Sequence, residues 1–182
     1  TGLQLPEHLA LKNFDAFHTT QAAAVLPYID EQFDPTLTWD DVAWLRSITP
    51  LPILVKGILR GDDARRAVDC GVAGLIVSNH GGRQLDTAIT GIDALPEVVA
   101  AVGKDIDILV DGGIRRGTDL IKAIALGARA VLVGRPTLWG LAVAGQAGVE
   151  QVLAILQREF DIGLALCGCQ SVADITPDLV AR

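Results

Sequence analysis

Ile106-Asp-Ile-Leu-Val-Asp111 runs directly into Gly112-Gly-Ile-Arg-Arg-Gly117. The first half is a short apolar run; the second packs three glycines and two arginines into six residues. Six residues are too few for a helix. A run rich in Ile, Leu and Val without alternation reads as a strand buried on both faces. The next stretch, Gly117–Leu126, has helical spacing and ends on Gly127, a residue suited to a helix C-terminus. Strand, glycine-rich turn and helix together make one β/α unit.

The same unit recurs around it. Pro52–Lys56, Gly74–Ser78 and Ala130–Gly134 are further short apolar runs. Helical segments follow at about Asp62–Cys70, Gly91–Val102 and Val149–Leu166, with Gly71 and Gly103 as helix-ending glycines. A preceding helix starts at Asp40-Asp-Val-Ala-Trp-Leu-Arg46, its acids suited to a positive helix N-terminus. The strand centres fall near residues 54, 76, 108 and 131. Repeats of that size predict an α/β fold, a parallel sheet with helical crossovers. Pattern alone leaves two architectures open: half of a (β/α)8 barrel, or a small doubly wound sheet. Residues 1–36 show no clean period and read as a long mobile loop, leaving residues 37–182 as the β/α region.

Composition narrows the function classes. The 182 residues are enough for one sizeable core. A formal charge of −7 argues against nucleic acid or an anionic membrane surface as partner. Residues 1–50 carry seven acidic and two basic side chains, whereas residues 51–182 carry 15 and 13. The later basic residues often stand beside glycines. Without an obvious membrane span or signal peptide, a cytoplasmic protein is expected. Cys70, Cys167 and Cys169 form neither a disulfide framework nor a zinc set, so no metal is expected. The chain contains no methionine, so Thr1 is expected to lie inside a longer protein.

In both candidate architectures ligands bind at the C-terminal ends of the parallel strands. Lys56 ends the first run, where it should reach an anionic or electron-rich ligand or snorkel to solvent. The second run ends in Ser78-Asn-His-Gly-Gly-Arg-Gln-Leu-Asp86. His80 can move a proton near neutral pH, and Arg83 can grip a carboxylate with two parallel hydrogen bonds. A base and a carboxylate clamp are what oxidation of a hydroxy acid requires, and Asp86 is expected to pin the loop. The third run ends in the Gly112–Gly117 stretch and the fourth in Gly134-Arg-Pro136. Glycine amides, a helix N-terminus and arginines make a phosphate cradle. In (β/α)8 barrels that cradle commonly follows strands seven and eight, which makes these runs strands 5–8 of a barrel.

The Ser78–Asp86 string resembles the active-site signature of the FMN-dependent (S)-2-hydroxy-acid oxidases and dehydrogenases, the glycolate and lactate oxidase group. Leu54-Val-Lys-Gly57, Asp111–Gly117 and Gly134–Pro136 resemble that family's flavin-side motifs. The resemblance implies the C-terminal half of a TIM barrel with FMN as cofactor. It implies His80 as the base, Arg83 on the substrate carboxylate and Lys56 against the flavin N1/C2 carbonyl, with Ser78 also facing the flavin. Asp111, Gly113, Arg115, Gly134 and Arg135 would hold the ribityl phosphate. The implied partners are a small 2-hydroxy acid, dioxygen as acceptor, the missing N-terminal half of the barrel, and other copies in a homo-oligomer. The alternatives are a dehydrogenase that passes electrons to a quinone or cytochrome, a non-catalytic phosphate-binding half-barrel, and another FMN or sugar-phosphate barrel. The His80–Arg83 pair argues against the last.

Overall fold

The computed structural model describes residues 33–181. By its contacts the chain divides into two units, Thr1–Thr38 and Trp39–Arg182. Of the first, only the last six residues are described. They contain a turn in which the Asp34 carboxylate accepts hydrogen bonds from the Thr36 amide and hydroxyl. Most of the 1–36 loop expected from the sequence therefore lies outside the described residues.

The second unit begins with α1 (Trp39–Ile48) and continues as β1 (Leu54–Ile58), α2 (Gly61–Asp69), β2 (Gly74–Val77) and α3 (Gly91–Val102). It ends with β3 (Asp107–Asp111), α4 (Gly117–Ala125), β4 (Ala130–Leu132) and α5 (Arg135–Leu166), followed by two short 3₁₀ turns. All strand pairs are parallel, and the order in the sheet is β1-β2-β3-β4. That order decides between the two architectures. A doubly wound sheet reverses direction at a switch point. Here each crossover advances one strand in the same direction, and right-handed connections then place the helices on one face. Four such units are half of a (β/α)8 barrel.

The core lies between the sheet and those helices. Leu75 and Val77 of β2 and Ile108 and Val110 of β3 point toward Ala64, Ala67, Leu95, Val98 and Val102. The other face is less covered, because side chains alternate along a strand. Ile76 and Leu109 are only half-buried and Leu54 is exposed. Strands meant to be buried on both faces thus have, among the described residues, one face in the core and an inner face that is only partly covered.

Three helix starts are held by a side-chain cap or by an acid from a neighbouring helix. The Thr90 hydroxyl accepts the Asp93 amide at the start of α3. The Gly61 amide at the start of α2 donates to Glu97 of α3 at 2.7 Å. The Gly117 amide at the start of α4 donates to Glu159 of α5 at 3.0 Å. Arg116 donates to the other oxygen of the same carboxylate, and these two donors hold Glu159 below its ordinary pKa.

The last helix differs from its sequence reading. It starts at Arg135, not Val149, with Pro136 in its first turn, and it breaks at Ala144 and Gly145. Gly145 has φ +57°, which L side chains rarely adopt, and Gly140 and Gly148 bring their backbones into direct contact around the break. By length and apolar composition the whole helix would suffice to cross a membrane, contrary to the sequence expectation. However, Glu150, Arg158, Glu159 and Asp161 charge its C-terminal part, so every suitably apolar stretch runs across the break. A membrane span needs about 20 consecutive residues of helix.

Close packing makes Gly117 a sensitive position. A Cβ there would overlap the backbone of Glu159 and Phe160. Gly117→Ala should therefore cost roughly 1–3 kcal/mol of stability, as overpacked substitutions do. The expected readout is a lower urea midpoint with an unchanged slope.

Candidate active site

The four strands deliver their C-terminal residues to one edge. Lys56 is followed by a bulge: β1 residue Lys56 pairs with Ile76, but Ile58 pairs with Val77, with Gly57 at φ +106° between them. Bulges near sites re-aim side chains. The Lys56 ammonium reaches across β2 to Asp111 Oδ2 at 2.8 Å and donates to Ser78 Oγ at 2.7 Å. Ser78 is almost fully buried. Its hydroxyl also accepts the His80 amide at 3.0 Å.

That second bond matters because of the backbone it secures. His80, Gly81 and Gly82 all have left-handed φ, at 56°, 69° and 72°. Glycine tolerates this freely, while a histidine pays roughly 1–2 kcal/mol for it. The turn is fixed by Ser78 at one end and by Asn79 at the other, whose Oδ1 accepts the Gly82 amide. Asp86 accepts the adjacent Thr87 amide, so its pinning of the loop is local, with no basic partner among the described residues. Neither the His80 imidazole nor the Arg83 guanidinium has a hydrogen-bond or ion-pair partner among those residues.

At the other end lie two glycine turns. Gly112 and Gly113 have φ of 91° and 78°. The amides of Arg115 and Arg116 both donate to Asp119 at 2.9 Å, and the Gly117 amide is taken by Glu159. The N-terminus of α4 is thus filled by the chain's own carboxylates, which narrows the expected cradle. The space for an anion lies at the Gly112–Gly113 turn and at the start of α5. Nothing stands within 4 Å of a Cβ built on Gly113 or Gly134. The Arg115 guanidinium lies 5.1 Å from the Trp139 ring centroid and donates to the Ile114 carbonyl. The Arg135 guanidinium comes within 3.3 Å of a Cβ position on Gly81, so the His80 turn and the start of α5 adjoin.

A pocket of about 370 Å³ joins these parts. Lys56, His80, Arg83, Asp111, Gly113, Arg115, Gly134 and Arg135 all line it, while Ser78 lies behind its wall and holds Lys56. The sequence reading missed Leu138, which also lines the pocket, and Trp139 beside it. Pro136 after Gly134-Arg135 was the available signal, because proline favours the first turn of a helix. It would have placed both residues next to the cradle.

Comparison with known proteins settles the family. The model of the FMN-dependent dehydrogenases matches residues 1–182. The chain belongs to the FMN-dependent dehydrogenase family. It is 55% identical to an L-lactate oxidase of Nostoc sp., over 96% of this chain and 48% of that protein. It is 51% identical to 2-hydroxyacid oxidase 1 of Mus musculus, over 98% of this chain and 50% of that protein. The chain thus spans about half the length of the curated relatives it matches. A solved mandelate oxidase bound to (S)-4-hydroxymandelic acid superposes with a TM-score of 0.86 at 50% identity, covering 97% of this chain and 51% of that one. The fold is accordingly the C-terminal half of a TIM barrel.

The pocket suits the family's cofactor. Two glycine turns and two arginines offer room and positive charge for a phosphate. Asp111 Oδ1 is buried without a hydrogen-bond partner, which is costly unless a ligand hydroxyl supplies one. A polyol chain leading from the phosphate has such hydroxyls, and Lys56 offers a cation beyond it.

Ser78 joins the two ends of this arrangement. Ser78→Ala removes the acceptor of the His80 amide and one of two partners of Lys56. It should cost about 1–3 kcal/mol, the penalty for leaving a buried donor unsatisfied. Ser78→Thr, which keeps the oxygen, should lose less in the same denaturation experiment.

Proposed function

We propose that this chain carries the substrate-oxidising half of an FMN-dependent (S)-2-hydroxy-acid oxidase. The observation that carries this reading is one turn placing an imidazole and a guanidinium beside a pocket whose far end is a glycine–arginine cradle. A 2-hydroxy acid needs both groups: a clamp on its carboxylate and a base for its proton.

In this reading Arg83 grips the carboxylate bidentately and so fixes which face of the carbinol carbon is presented. His80 takes a proton from the substrate as that carbon becomes a carbonyl. Bound FMN would supply the acceptor for the two electrons and the second hydrogen, which with the proton taken by His80 make up the two hydrogens of the peroxide. Lys56 would offer its charge to stabilise negative charge on the acceptor, and Asp111 and Ser78 fix the position of the ammonium. Gly113, Arg115, Gly134 and Arg135 hold the phosphate. The product is a 2-oxo acid, and dioxygen leaves as hydrogen peroxide. The glycolate and lactate type of small acid is the proposed substrate class, supported by relatives named L-lactate oxidase and 2-hydroxyacid oxidase.

The N-terminal half of the barrel is the proposed partner of the inner face. The half-covered Ile76 and Leu109 and the edges of β1 and β4, which have no further strand beside them among the described residues, support it, because open edges and apolar faces invite association. We also propose a homo-oligomeric assembly of the complete protein.

Two substitutions in the complete flavoprotein test the assignment. His80→Gln should keep FMN bound and slow anaerobic flavin bleaching by about 10²–10⁴-fold, the usual loss for a general base. Bleaching within a few-fold of wild type would assign the proton to another group. Arg83→Lys keeps the charge but loses the fork, so KM for the hydroxy acid should rise while FMN content stays constant. Loss of FMN in step with activity would place Arg83 on the cofactor.

A further inference from the structure

We propose that Trp139 is a positioning residue for the phosphate-binding arginine Arg115, and through it a determinant of FMN retention. This rests on the phosphate-cradle reading above and extends it to a residue outside the pocket lining. The two halves of the cradle come from different β/α units: Gly113 and Arg115 follow β3, while Gly134 and Arg135 follow β4. A side-chain contact crosses between them at the cradle itself: the Arg115 guanidinium lies over the Trp139 ring, at 5.1 Å from its centroid.

Arg115 is otherwise loosely directed. Its backbone amide is tied to Asp119, but its side chain has one hydrogen bond within the described residues, from Nη1 to the neighbouring Ile114 carbonyl. A guanidinium donates five hydrogen bonds in a planar fork, so most of that fork is unspent. An aromatic face holds a cation without consuming any of its donors. The indole therefore sets the position of the guanidinium while leaving the donors for the phosphate. A carboxylate in the same place would set the position too, but it would compete with the phosphate for charge. Trp139 itself is half-exposed and rests in the first turns of α5, near the open end of that helix. Its large apolar surface is therefore poorly explained by core packing.

The test separates a phosphate effect from general structural damage. The intact flavoprotein is stripped of flavin, then titrated separately with FMN and with riboflavin, which lacks the phosphate. Trp139→Leu should weaken FMN roughly two- to tenfold, the scale of a cation–π contact at a partly exposed site, and leave riboflavin affinity unchanged. Trp139→Phe should recover part of the loss. Because leucine also changes the packing of α5, near-isosteric fluorinated tryptophans at position 139 provide a second series. FMN affinity should fall stepwise as fluorine withdraws charge from the ring face. Equal weakening of both flavins, or no trend across the fluorinated series, would overturn the proposal. A wild-type protein that binds riboflavin as tightly as FMN would instead remove the phosphate-cradle reading itself.

Discussion

Everything at the site depends on the direction in which the sheet is wound. Four parallel strands in the order β1-β2-β3-β4 bring four strand ends to one edge, and each end contributes one part of the pocket. The part each contributes follows from its place in the row. Lys56 and Asp111 lie on strands separated by β2, and their side chains share the inner face, so they meet over it at 2.8 Å. Ser78, at the end of the strand between them, is the natural third member. A sheet that reversed direction between β1 and β3 would break this arrangement, because Lys56 and Asp111 would no longer flank one strand.

The helices show how the chain keeps this edge from collecting stray anions. Helix N-termini all face the edge that binds ligand, and each is an attractive site for negative charge. Three of them are closed by acids of the chain itself: α2 by Glu97, α3 by its own cap around Thr90 and Asp93, and α4 by Glu159 and Asp119. A pattern in the sequence records this. Arg60-Gly-Asp-Asp63, Thr90-Gly-Ile-Asp93 and Arg116-Gly-Thr-Asp119 place a glycine at the first helical position and an acid two residues on. The start of α5, Gly134-Arg-Pro-Thr137, lacks the acid. The one departure from the repeat coincides with the helix end that faces the pocket.

The elements legible from sequence were those set by local pattern. The strand runs and the first helices sit within a few residues of their expected places, and eight of the nine residues singled out at strand ends line one pocket, with Ser78 bonded to Lys56 behind it, because a motif at a strand end inherits the geometry of the edge. The failures were long-range. Burial of both strand faces could not be judged from a run such as Gly74–Val77, since the same apolar residues suit a face that awaits another half of the barrel. The filling of the α4 N-terminus by Glu159 depends on a residue more than forty positions away. The start of α5 was missed for a different reason: Gly140, Gly145 and Gly148 dilute the helical pattern, although they are what lets the chain fold back on itself there.

Charge distribution completes the physical account of ligand choice. The chain is acidic overall, yet Lys56, Arg83, Arg115 and Arg135 face the pocket against a single acid, Asp111. An acidic surface around a basic cleft concentrates field lines in the cleft, so small anions are drawn there and polyanions are repelled by the surroundings. Within the cleft the charges are not equivalent. Lys56 is already paired with Asp111, whereas Arg83 and Arg115 have no acid partner among the described residues. The positive charge available to an incoming anion is therefore split between two places, one beside His80 and one beside the glycine turns. That is the charge pattern that a carboxylate substrate and a phosphate-bearing cofactor can share without competing for the same donors.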